Sequence, residues 1–134
     1  MSEDQKPEAP EVEEYTPGET FIRAGGKDYS GADVTEPADR TFREAWGAPE
    51  GDFLTVDMEK ARKIWRSKIR RARDPEFERL DAQFMKRQER GEDAADIIAA
   101  KEVLRGAPRD ARIDAAQTPE ELVKVQPIPN VTVE

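Results

Sequence analysis

The sequence predicts a small α+β chain, mainly helical, in which a short β-hairpin leads into an antiparallel helical hairpin, with extended segments at both ends. Three observations carry that expectation. In Asp57 to Arg73, DMEKARKIWRSKIRRAR, the residues Met58, Ala61, Ile64, Trp65, Ile69 and Ala72 recur at three- and four-residue intervals and form one apolar arc at about 100° per residue. Glycine and proline clusters punctuate the chain before this stretch, with short apolar runs between them. With 134 residues, 36% hydrophobic and 39% charged, the chain has room for one small core.

Each element follows in order. Residues 1–18, MSEDQKPEAPEVEEYTPG, are acidic, proline-rich and poor in large apolar side chains, so burial cannot offset their ordering entropy and an extended arm is expected. Glu19 to Tyr29, ETFIRAGGKDY, reads as two short strands about Gly25 and Gly26, a pair that accepts positive φ in a tight turn. Residues 1–38 are therefore grouped as an acidic arm carrying a short hairpin. Arg40 to Trp46 and Phe53 to Val56 flank GAPEGD and predict a second hairpin, with Phe42, Trp46, Leu54 and Val56 as its apolar faces.

Asp57 is placed as an N-cap, with Glu59 where the helix dipole favours an anion, so a helix begins near Met58. Asp74 and Pro75 either kink one long helix or start a second. Phe77, Leu80 and Phe84 continue the apolar stripe, and Gly91 can end it. Asp93 to Arg105 predicts another helix with Ile97, Ile98 and Leu104 inward, antiparallel to the first because the connection is short. Thr118, Pro119 and Glu121 mark a last short helix as N-cap, first-position proline and capping-box acid. The hairpin and helices make a domain over residues 39–126, and Pro127 and Pro129 make 127–134 an extended tail.

Length arithmetic leaves one face open. A helix from Met58 to Arg90 is about 50 Å long and the helix ending at Arg105 covers about 20 Å of it. Phe42, Trp46, Phe53 and Leu54 are the nearest candidates to cover Ile64, Trp65 and Ile69, with another subunit as the alternative.

Charge is sharply partitioned. Residues 1–57 carry 15 acidic and 5 basic side chains, residues 58–73 carry 1 and 8, and residues 74–134 carry 14 and 9, within a net charge of −8. The basic block suits carboxylates, its own or a partner's, and the candidate partner-binding residues are Arg62, Arg66, Arg70 and Arg73 with Trp65 and Trp46. Phosphates are the weaker match, because the acidic remainder of the chain repels nucleic acid and no reading module is present.

Chemistry is bounded by what is missing. The chain has no cysteine and no histidine, which excludes thiolate and imidazole catalysis, disulfides and the usual zinc, copper and haem ligands. The spacing in DYSGAD, Asp28 to Asp33, departs from a calcium loop, and no phosphate-cradling glycine loop occurs. No catalytic, cofactor-binding or metal-binding residue is assigned, so neither an enzyme nor a small-molecule substrate is expected. No apolar run approaches the roughly 20 residues of a membrane span.

DRTFREAW at Asp39 to Trp46, VDMEKARKIWRSKIRRAR from Val56, LDAQFM at Leu80 to Met85 and RIDAAQTPEEL at Arg112 to Leu122 together resemble small tail-associated proteins encoded among the tail genes of tailed bacteriophages. The resemblance covers about Asp39 to Leu122 and implies a strand pair before a helical hairpin and a terminal TPEEL helix. It also implies a virion structural protein of the tail or neck, assembled in the bacterial host cytoplasm and partnered by other phage structural proteins in a multi-subunit assembly. A non-virion tail fibre assembly factor or chaperone is the alternative it leaves open, and a nucleic-acid-binding regulator is the weaker one.

Overall fold

The computed structural model describes residues 20–134, and the expected acidic arm of residues 1–18 lies outside the described residues. The chain divides into two compact units, one ending at Thr55 and the other running Val56–Glu134. The architecture is α+β, with two short antiparallel hairpins preceding the helices.

In the first unit β1 (Phe21–Ala24) pairs antiparallel with β2 (Lys27–Ser30), Phe21 opposite Ser30 and Ala24 opposite Lys27. Gly25 and Gly26 form the two-residue turn at φ of 59° and 82°, a left-handed pair that side chains resist. A short 3₁₀ turn, Arg43–Ala45, then leads into β3 (Trp46–Glu50), which pairs with β4 (Phe53–Val56). Here the structure corrects the expected hairpin. Arg40 to Ala45 is turn rather than strand, and the reversal is confined to Gly51 and Asp52, with Gly51 at φ of 64°. Ala48 and Pro49 belong to β3, where a two-stranded sheet leaves an edge on which proline costs no ladder bond.

The two hairpins belong to one unit, whereas the sequence grouped the second hairpin with the helices. The Gly25 N–H donates to the Trp46 carbonyl at 2.8 Å, and Thr35 bridges to Phe53 with the Leu54 N–H donating to the Thr35 carbonyl at 2.9 Å. Phe42, Ala45, Trp46 and Leu54 are buried at this unit's centre.

The second unit is built on α1 (Met58–Glu89), a single helix of 32 residues. Asp57 caps it as expected, accepting from the N–H groups of Glu59 and Lys60 at 3.0 and 3.3 Å. Pro75 sits inside the helix, so of the two outcomes at Asp74 and Pro75 the chain continues. Pro75 lies on the exposed side of the helix, as does Arg71, whose carbonyl loses its intrahelical donor there. Gly91, at φ of 67°, follows the helix end.

Helix α2 (Ala95–Gly106) returns alongside α1. Its contacts run in reverse chain order, Arg87 to Asp96, Asp81 to Lys101 and Arg73 to Leu104, which makes the pair antiparallel. Ile97 and Leu104, seven residues apart, are buried at 2% and 3% exposure, but Ile98 is 51% exposed, contrary to expectation. One residue further along a helix is about 100° around it, enough to leave the buried stripe.

The C-terminal segment also packs on α1. A 3₁₀ turn (Ala107–Arg109), α3 (Ala111–Ala115) and α4 (Pro119–Val123) bury Pro108, Ile113, Leu122 and Val125. Thr118 caps α4 by accepting from the Glu121 N–H at 3.1 Å, while the Glu121 carboxylate accepts from the Gln117 N–H at 2.7 Å, so the expected capping box forms. The tail over residues 127–134 has no helix or strand, and it packs against the second unit. Ile128 and Val133 are 2% and 4% exposed, and the Gln126 amide bonds both the N–H and the carbonyl of Val133.

Candidate docking surface

The candidate residues separate into three groups. Trp46 is 4% exposed in the first unit and Trp65 is 0% exposed in the second, so both indoles serve cores rather than a contact surface. Trp65 and Ile69 are fully buried, as the apolar arc requires. The Trp65 indole N–H donates to the Val125 carbonyl at 3.0 Å, so the C-terminal segment packs on this part of the apolar arc.

Arg62, Arg66 and Arg73 form the second group, and they face inward along one flank of α1. Arg62 donates through Nη2 to the Ala116 carbonyl at 2.7 Å. Arg66 donates through Nε to the Pro108 carbonyl at 3.2 Å and pairs with Asp114. Arg73 donates through Nη1 to the carbonyls of Leu104 and Arg105 at 3.0 and 3.4 Å, with its guanidinium 5.6 Å from the Phe77 ring centroid.

These acceptors have something in common. Leu104 and Arg105 lie in the last turn of α2, Pro108 in the 3₁₀ turn, and Ala116 is the C-cap of α3. The last carbonyls of a helix have no partner within it and carry the negative end of its dipole, so a guanidinium is a favourable cap. Three of the four arginines assigned to a partner therefore cap the chain's own helices. Neither the capping role nor the acceptors were visible in the sequence, because the acceptors are backbone atoms 31 to 54 residues away.

The third group remains outward. Arg70 is exposed, and with Lys60, Lys63 and Arg71 it lies within about 100° of arc on the side of α1 opposite Trp65 and Ile69. None of these four cations is ion-paired among the described residues. Ser67 lies in the middle of the row and Asp74 at its end, both exposed. The result is a polar, cationic strip about 15 Å long on a rigid helix, a length that follows from 1.5 Å per residue.

Other ionisable groups are paired locally. Arg87 donates to both Asp96 oxygens at 2.9 and 3.1 Å, which holds the Asp96 carboxyl below the ordinary range. Hydrogen bonds from Arg112 lower Asp110, which also caps α3 by accepting from the Arg112 N–H. Hydrogen bonds from Thr41 lower Asp39. Among the described residues no group of three or more acidic side chains is placed to hold a metal ion, and no helix is long and apolar enough to cross a membrane. No family model, no curated protein and no solved structure matches the chain.

Proposed function

We propose that the chain is a non-enzymatic docking protein of a bacteriophage particle, in the tail or neck, and that the row Lys60, Lys63, Arg70 and Arg71 seats it on an acidic face of a neighbouring virion protein. The observation that supports the reading is the row itself: four exposed cations on one face of α1 with no ion-pair partner among the described residues, in a chain of net charge −8. A protein of net negative charge gains selectivity by presenting a basic strip, which steers encounter and fixes register. Arg70 and Arg71 add planar forks that match carboxylates two bonds at a time. The assignment to a phage particle comes from the sequence resemblance over Asp39 to Leu122.

The test replaces Lys60, Lys63, Arg70 and Arg71 by glutamate together and follows incorporation into purified particles by mass spectrometry, with the melting curve as a control. Loss of incorporation at an unchanged melting midpoint is expected. Full incorporation of the variant would refute the role of the row. Presence of the wild-type chain in infected cells but not in purified particles would favour an assembly factor, and tight, salt-sensitive binding to generic DNA would favour the regulator.

A further inference from the structure

The outer edge of β1 is an open strand edge in the first unit. Backbone parity identifies it. The Gly31 N–H donates to the Thr20 carbonyl, so in the antiparallel register Ile22 and Ala24 bond to β2 while the backbone groups of Phe21 and Arg23 point away from it. The next residue in that alternation, Gly25, already uses its outward N–H on the Trp46 carbonyl, which shows that this edge accepts a neighbour. Beside Phe21 and Arg23 no described residue supplies one, and the edge instead lines a groove of about 670 Å³.

The groove's chemistry defines an occupant. Its rim carries three guanidinium groups, Arg23, Arg40 and Arg43, against two carboxylates, Glu36 and Glu44. Each guanidinium is in a local ion pair, with Asp28, Glu36 and Glu44 respectively, Arg23 also donating to the Gly26 carbonyl at 3.2 Å and Arg40 lying 5.6 Å from the Trp46 ring centroid; such solvent-accessible pairs exchange at little cost. Phe21, at 70% exposure, is the most exposed large apolar side chain among the described residues. At the far end Trp46 has an indole N–H that is buried without an acceptor.

We propose that this edge binds an extended acidic segment of a partner protein by strand addition. The segment's backbone pairs with Phe21 and Arg23, its carboxylates meet Arg40 and Arg43, and an apolar side chain covers Phe21. Main-chain pairing supplies affinity with little demand on sequence, and the arginine rim selects for acidic segments.

The experiment measures binding of a fluorescein-labelled peptide, EVEVEFEVEV, to the full chain by anisotropy, with amide hydrogen exchange on the same complex. Saturable binding and slowed exchange at Phe21 and Arg23 are expected. Arg23→Pro deletes the outward N–H, the charge and the exposed Arg23–Asp28 ion pair but no β1–β2 backbone hydrogen bond, and should weaken binding about tenfold or more, about 1.4 kcal/mol per tenfold. Phe21→Ala should also weaken it, and the α1 row variant should bind as wild type does, so failure here is distinct from failure of the docking row. Equal binding by Arg23→Pro, unchanged exchange at both amides, or equal binding of KVKVKFKVKV would overturn the proposal. A dimer seen by sedimentation and dissolved by Arg23→Pro would assign the edge to a second copy instead, and overturn the partner.

Discussion

Replacing Arg66 by lysine tests whether the inward arginines cap helices or wait for a partner. The guanidinium reaches two acceptors in different directions, the Pro108 carbonyl through Nε and Asp114 through Nη2, and a single ammonium cannot serve both. A charged hydrogen bond to a backbone carbonyl contributes about 1.5 to 3 kcal/mol, reduced here because the side chain is 24% exposed. The pair with Asp114, itself 72% exposed, adds at most about 1 kcal/mol. Since lysine retains one contact, the net loss should be about 1 to 2 kcal/mol, or about 4 to 16 °C in melting midpoint for a unit of this size. Arg62 and Arg73 use separate acceptors, so their lysine variants should add to it, and the triple variant should lose about 3 to 5 kcal/mol. Arg70→Lys, at an exposed position, should stay within about 0.5 kcal/mol. Urea unfolding of the purified chain, with no partner present, measures the five variants against wild type. If Arg66→Lys and the triple variant unfold with wild type while particle incorporation falls, the capping assignment is wrong and the inward arginines belong to an interface.

The remaining predictions concern the core and acid stability. Trp65→Ala should cost about 3 to 5 kcal/mol, and Trp65→Phe less, about 1 to 3 kcal/mol, because it mainly leaves the buried Val125 carbonyl without its donor. An alanine variant as stable as wild type in urea would show that the indole is not a core element. Arg112 holds the Asp110 carboxyl below its usual range, so its contribution is present above the unfolded value of about 4 and is lost as pH falls through the lower folded value. Asp110→Asn should therefore lower the melting midpoint at neutral pH and flatten part of its decline below about pH 4, leaving the share due to Asp39 and Asp96. An acid limb as steep in the variant as in wild type would remove Asp110 from that account.

Local signals were legible because their physics is local. Asp57 and Thr118 sit directly before the helices they cap, and Gly25 with Gly26 satisfies a turn whose φ angles exclude most side chains. The apolar arc gave the burial of Ala61, Trp65 and Ile69 for the same reason: helical periodicity fixes which side chains share a face. It could not say what that face meets. The five-residue helices α3 and α4 are too short to produce a periodic pattern, so their return along α1 was invisible, and with it the burial of Ile128 and Val133. The same limit applied to charge. Composition showed eight cations between Met58 and Arg73, but only the tertiary structure divided them, because the acceptors for Arg62, Arg66 and Arg73 include backbone carbonyls at distant helix ends. Side-chain spacing determines which arginines share a helix face, whereas the path of the chain afterwards decides which of them remain outside.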